Sequence, residues 1–363
     1  MGAGSIFRIP AIDAGRATGR PIGAMIVRTP VFLLIWLGIC ALVFAASIGL
    51  NNDYIFFAGY VVLQYVVLST AWNILGGYCG YVNFGSAAFF ALGAYSSVAI
   101  YRLVTENDLY GIPIPVLMLI GGVVSGVVGF GMGYLTLRLR GAFFAIATLA
   151  LAVVLQTLVV NWDYVGGSRG AYIIRPEQIA PIGNYIRYLF LIMMLLAVAA
   201  ITIARLIEHS RLGYGFASIR DDELAAEASG VPTLRLKLVA TTISGALMGM
   251  AGAPFPYYIG YLQPSSTFGL DYAVNSIAMP LIGGTTGWVG PLIGALLLGS
   301  LQQIATVTIS SAVNLLIVGC LLVFFVIIAP NGIVGLIHTY LQRKPEDFVG
   351  RRPVETEIPG QVP

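Results

Sequence analysis

The sequence predicts an all-α polytopic membrane protein with about ten transmembrane helices, some of them interrupted by glycine-rich breaks. Three observations predict it. Hydrophobic residues make up 58% of the 363, charged residues only 10%, and the apolar residues gather in long runs without charge. A soluble domain carries roughly 25% charged residues, and this much apolar sequence at roughly 20 residues per span is material for about ten crossings. The net charge of +3 comes from 19 basic and 16 acidic residues scattered along the chain, too dilute a field for nucleic acid, so no nucleic-acid partner is expected.

Residues 1–30 read as an N-terminal tail. Arg8, Arg16, Arg20 and Arg28 face the single acid Asp13, a bias shared with organellar transit peptides and read here as a cytoplasmic tail. The apolar run from Val31 is span-length and lacks an Ala-x-Ala exit, so no cleaved signal peptide is expected. Seven clear spans follow: Val31 to Leu50, Tyr54 to Leu75, Asn83 to Tyr101, Pro115 to Leu137, Ala142 to Val160, Tyr188 to Ile207 and Leu236 to Pro256. Beyond them lie a short run from Val274 to Gly283, a glycine-rich break, a run from Val289 to about Val307, and a last one from Val313 to Ala329. The short run is expected either to begin before Val274 or to be a half-helix, which a membrane tolerates only where protein or water satisfies the freed backbone. The transmembrane domain thus covers 31–340, and the polar, Pro-rich 341–363 is a C-terminal tail.

Orientation follows from the basic residues, which resist translocation. With the N-terminal tail inside, fifteen of the 19 lysines and arginines fall on cytoplasmic segments, leaving Arg102, Arg169, Arg175 and Arg187 on the other face. Both termini are then cytoplasmic. Cys40, Cys79 and Cys320 lie far apart with no metal spacing and read as small apolar fillers. No catalytic cluster, metal site or cofactor is expected, and an enzyme is disfavoured.

The largest cytoplasmic loop, 208–235, contains Ser218-Ile219-Arg220-Asp221-Asp222-Glu223-Leu224-Ala225-Ala226-Glu227-Ala228-Ser229-Gly230. It reads as one short helix, with Ser218 capping its start, Asp221 reaching back, acids at the positive end, and Gly230 and Pro232 as the stop. Alanines leave a low surface for another protein's groove, and the flanking charges fix register. An interfacial helix lying on lipid would want aromatic and leucine residues opposite lysines and arginines, so a protein contact is preferred.

The chain's two lysines, Lys237 and Lys344, follow no phosphate loop, so any ATP must be hydrolysed by a partner. No Asp, Glu or His lies within the apolar runs, which disfavours coupling to protons or sodium. An uncharged path is left to amides such as Asn73 and Asn83. They flank Gly76-Gly77-Tyr78-Cys79-Gly80-Tyr81-Val82, which Gly283-Gly284-Thr285-Thr286-Gly287-Trp288-Val289 echoes. Two interrupted segments at corresponding places are the pattern of midplane substrate sites, although tight turns and close helix packing by glycine give the same sequence.

Several segments together resemble a known family. They are Asn73 to Tyr78 running into Gly80 to Phe90 with Gly93-Ala94-Tyr95; Leu139 to Leu149; Gly166 to Gly170; the 220–230 loop; and Gly283-Gly284 with Gly287, Gly290-Pro291 and Gly294. Over about 54–340 the chain resembles the LivM-type permease subunits of bacterial ABC importers for branched-chain amino acids. That resemblance implies a type II ABC importer-like permease. Its coupling helix would carry Arg220, Asp221, Asp222, Glu223, Ala225, Ala226 and Gly230, a form of the family's Glu-Ala-Ala-x-x-x-Gly loop. Leu224 stands where the glutamate belongs, with Glu223 one place earlier, and Ser86 stands where relatives carry a larger polar residue. The path would include Asn73, Gly76, Gly77, Asn83, Ser86, Gly283 and Gly284. The partners implied are two ABC ATPase subunits, a second homologous permease, an extracytoplasmic substrate-binding protein and membrane lipid. The alternatives are an ion-coupled secondary transporter, or a permease of the same family for urea, amides or aromatic acids.

Overall fold

A computed structural model describes residues 22–49, 52–107, 111–136, 138–174, 178–179, 183–308 and 332–342, with short pieces at 319–320 and 323–324. The elements are helices α1 (Ile22–Gly49), α2 (Asp53–Gly76), α3 (Ser86–Glu106), α4 (Ile114–Thr136), α5 (Ala142–Val160), α6 (Tyr185–Glu208), α7 (Arg211–Asp221), α8 (Glu223–Ala228), α9 (Thr233–Gly252), α10 (Phe255–Ile259), α11 (Pro264–Thr267), α12 (Leu270–Gly283) and α13 (Val289–Thr308), then a C-terminal helix Gly332–Gln342. Four two-residue strands pair as two small antiparallel ribbons.

Eight of the described helices are long and apolar enough to cross a membrane: α1 to α6, α9 continued through α10, and α13. These match the seven clear runs and the run from Val289. The short run from Val274 does begin earlier, at Leu270, but its 14 residues rise only about 21 Å, less than a bilayer core. The last expected run, Val313 to Ala329, lies almost wholly outside the described residues, as do most of the N-terminal tail and the C-terminal tail.

Side-chain oxygens start two of the long helices. Asn52 accepts from the Tyr54 N–H ahead of α2, and Asn184 accepts from Ile186 ahead of α6, each relieving a first-turn donor. At that same end Arg187 pairs with Asp53 at 3.1 Å. There β1 (Ala171–Tyr172) also pairs with β4 (Tyr261–Leu262), and the Tyr261 hydroxyl donates to the Arg169 carbonyl at 2.6 Å. The opposite end carries Arg138, Arg140, Arg205, Arg211, Arg220 and Arg235, together with α7 and α8; it is called the basic end below.

Helix α2 runs through the core, with Phe56, Tyr60 and the stretch Val66 to Leu75 buried against α6, α9, α12 and α13. Elsewhere glycine sets the packing distance. A Cβ at Gly93 would overlap the Gly249 carbonyl and one at Gly252 the Phe90 carbonyl, so α3 and α9 touch backbone to backbone. Gly283, Gly290 and Gly294 do the same for α12 and α13. Large apolar side chains on α4 (Val123, Val127, Leu135) and α5 (Phe143, Ile146, Leu158) point outward, as befits lipid or another membrane protein.

Candidate functional site

After Gly76 at the basic end the chain turns back into the bundle as an irregular segment, 77–85, before α3 begins. Its backbone is satisfied along the last turn of α2. The N–H groups of Gly77 and Tyr78 donate to the Asn73 carbonyl, that of Tyr81 to Leu75, and the Trp72 indole donates to the Asn83 carbonyl at 2.9 Å. Irregular backbone at this depth is tolerable only inside protein, and Tyr78, Cys79, Tyr81 and Asn83 are all buried. Gly80 has φ +80, a left-handed conformation that glycine adopts without strain.

Helices α7 and α8 grip this segment. Arg220 donates to the Gly77 carbonyl at 3.3 Å, and its stem packs over Gly80. Glu223 receives the Tyr81 hydroxyl on one oxygen and the Lys237 ammonium on the other, at 2.7 Å; Lys237 also reaches the Tyr81 oxygen at 3.2 Å. The Lys237 side chain is 3% exposed and that of Glu223 13%, so this is a buried ion pair. Arg140 adds a second cation, 3.6 Å from Glu223 and 3.3 Å from Glu227. Burial works against the charge on Glu223, but the hydrogen bonds from Lys237 and Tyr81 and the two nearby cations outweigh it and hold the carboxyl below its ordinary value. A pocket of about 360 Å³ lies alongside, lined by Gly80, Tyr81, Val82, Arg140, Gly141, Ala142, Ala145 and Glu223.

The loop differs from the single capped helix expected. It folds as two helices broken at Asp222, whose backbone is extended (φ −159, ψ 110) and whose side chain caps α8 by accepting from Leu224 and Ala225. Ser218 is no cap; it sits inside α7 and donates to the Gly215 carbonyl. Asp221 ends α7, paired with Arg220 at 3.7 Å. Two caps compete here, and Asp222 wins because a break there turns Glu223 inward to Lys237. The stop at Gly230 holds: φ is +83, Gly230 bonds back to Glu227, and Val231 bonds back to Ala226, a left-handed helix end. Ala226 faces the bundle, whereas Leu224 (63% exposed), Ala225 and Ala228 face away from it, beside Tyr214 (67%) on α7.

The two glycine-rich breaks meet at the basic end. Asn73 donates to the Gly287 carbonyl at 3.4 Å, and a Cβ at Gly77 would lie 2.6 Å from the Thr285 carbonyl oxygen. Glu208, at the end of α6, holds both breaks: one of its oxygens takes the Trp288 N–H at 2.9 Å and the Tyr78 hydroxyl at 3.3 Å. Gly76 packs on the Trp72 ring, and Gly284 (φ +120) touches Gly332 and Gly290. Of the expected path residues, Asn73 and Gly77 stand where the breaks contact each other, while Gly76 packs on its own helix and Gly283 and Gly284 pack against Gly290 and Gly332.

Asn83 and Ser86 lie deeper. The Ser86 hydroxyl is 2.9 Å from that of Ser276, halfway along α12. Next to Ser276, Asn275 donates to Tyr65, midway along α2, and accepts from Gln302 of α13 at 2.8 Å. Sequence reasoning missed the roles of Tyr81, Glu208, Lys237 and Ser276. Lys237 left a readable trace, because a lysine at the start of an apolar span requires a carboxylate partner. Among the described residues no group of three or more His, Cys, Asp and Glu is placed to hold a metal ion.

A family model described as "Branched-chain amino acid transport system / permease component" matches residues 54–326. The high-affinity branched-chain amino acid transport system permease proteins LivM of Salmonella typhimurium and of Escherichia coli K12 are each 26% identical over 309 residues, covering 78% of this chain and 71% of theirs. LivH of Escherichia coli K12, the corresponding permease protein of that name, is 22% identical over 290 residues, 75% of this chain and 91% of its own. No solved structure matches.

Proposed function

The chain belongs to the branched-chain amino acid transport system permease family, and from that premise we propose that it forms the translocation path of an ATP-driven importer for branched-chain amino acids. It is a multi-pass membrane permease; the energy comes from two separate ATPase subunits that dock on α7 and α8. A second, similar permease completes the path, as the match to both LivM and LivH relatives supports. An extracytoplasmic binding protein delivers the substrate. The distribution of basic residues supports a cytoplasmic position for the basic end and both termini, and the family supports a bacterial plasma (inner) membrane.

One observation carries this reading. The α7–α8 pair is fastened on its inner side to the re-entrant segment, through Arg220 to Gly77 and Glu223 to Tyr81, and offers Leu224, Ala225, Ala228 and Tyr214 on its outer side. A push on that outer face is passed to residues 77–85 and so to the start of α3. The test is ATP-driven leucine uptake by the reconstituted complex. Reversing charge at Asp221 and Asp222 together, or replacing Gly230 by Pro, is expected to abolish uptake while the chain still inserts. Undiminished uptake in these variants refutes the coupling role.

A further inference from the structure

Helix α3 starts in the interior without a cap. Its preceding residue, Gly85, makes no side-chain capping bond, and the N–H groups of Ser86 and Ala87 take no acceptor, although Ser86 is 1% exposed and Ala87 4%. A second observation falls at the same place. Asn83 is 1% exposed; its Oδ1 accepts the Gly85 N–H at 2.7 Å, which holds the amide against the helix start, and its Nδ2 has no partner. Phe84 is satisfied by Thr148 at 3.2 Å, and the Ser86 hydroxyl by Ser276. What remains is a group of unpaired donors at the positive end of a 21-residue helix, inside the protein. Buried donors without partners call for an explanation, and a ligand that accepts from them supplies one.

We propose that the N-terminus of α3, with Asn83, is the subsite that receives the carboxylate of the transported solute. Two backbone N–H groups, a side-chain amide N–H and the helix dipole suit an anionic oxygen pair, and an interrupted membrane helix presents these groups without placing a charged residue in the bilayer. The absence of a lysine or arginine at this position fits a path: a fixed cation would hold the carboxylate, whereas dipoles let it go. The subsite also sits on the segment that Arg220 and Glu223 hold, so movement of α7 and α8 displaces Asn83 and opens or closes the donor cluster. This inference rests on the reading of the chain as an amino-acid permease.

The test is ATP-driven uptake of radiolabelled leucine by the full complex in proteoliposomes, with binding protein supplied and rates taken per complex recovered with its ATPase subunits. Asn83→Asp keeps the oxygen that caps Gly85 and nearly the same shape, but sets a negative charge where the carboxylate must pass; uptake should fall at least tenfold. Asn83→Ser keeps a capping oxygen without the charge and should lose less. A purely structural Asn83 predicts the reverse order, because Asp is the closer replacement and suits a helix start. Ala87→Pro provides an independent arm: proline is tolerated in the first turn and deletes one N–H, and it should cost several-fold. Asn83→Asp transporting as well as Asn83→Ser, or Ala87→Pro transporting at the wild-type rate, overturns the subsite. Failure of the wild-type complex to take up leucine would instead overturn the permease reading on which it rests.

Discussion

Replacing Lys237 by Met should release α8 from the bundle without unfolding the membrane helices. The methionine fills the same channel, but the Glu223 carboxylate loses its 2.7 Å partner while staying almost buried. Removing one member of a buried pair costs about 3–5 kcal/mol. The low end applies, because Arg140 remains 3.6 Å away as a half-exposed substitute. A cost of about 3 kcal/mol shifts the balance between docked and released α8 roughly a hundredfold. The pH dependence should change as well. In the native protein the depressed pKa of Glu223 means that docking is at full strength above the ordinary carboxylate range and is lost only as pH falls through the lowered value. Without Lys237 only the Tyr81 hydrogen bond and Arg140 oppose the desolvation of Glu223, so its pKa rises and docking is lost at a higher pH than in the native protein. A spin label on Leu224→Cys, exposed on the outer side of α8, reads the mobility of α8 directly as pH is varied. Uptake and binding-protein-stimulated ATP hydrolysis read the consequence, and adding Glu223→Gln should restore part of the loss by removing the stranded charge. If Lys237→Met leaves the label's mobility and uptake unchanged at all pH values, or if the double variant is worse than the single, the ion pair is not what holds α8.

Two further outcomes follow from the packing. Gly283→Ala should sharply reduce folded yield, because its methyl overlaps the Gly290 carbonyl and backbone cannot give way, whereas Gly38→Ala on α1, with nothing within 4 Å, should be neutral; detergent-solubilised monodisperse protein measures both. Glu208→Ala removes the acceptor shared by Trp288 and Tyr78 and should cost about 1.5–3 kcal/mol per charged hydrogen bond lost. That loss is read as a lower melting temperature, and an unchanged melting temperature would show that the two breaks are held by other contacts.

The spans were legible because lipid imposes a simple rule, long apolar runs with little charge, and the seven runs from Val31 to Pro256 and the run from Val289 obey it, with Arg205 and Lys237 close to span ends. The glycine-rich breaks were legible as breaks, but which group they would meet was not, since contact between Gly77 and Thr285 depends on how α2 and α12 pack. The loop was misread at one residue. Ser218 with Asp221 and Asp222 with Ala225 are both acceptable helix starts, and no Gly or Pro separates them, so local rules leave the choice open. The distant ion pair between Glu223 and Lys237 decides it. The inward turn of Glu223 was hidden because Tyr81 lies 142 residues away, and because Lys237, 14 residues on, meets it only once α8 folds back against α9.

Where glycine lets carbonyls touch a neighbouring backbone, no side chain remains to slide. Helices α3 and α9, welded at Gly93, Gly249 and Gly252, make one stiff plank, and α12 with α13, welded at Gly283, Gly290 and Gly294, makes another. Rearrangement between outward and inward openings then falls to the seams between planks, one of which joins α3 to α12 through the Ser86 and Ser276 hydroxyls and the stack of Phe90 on Tyr272.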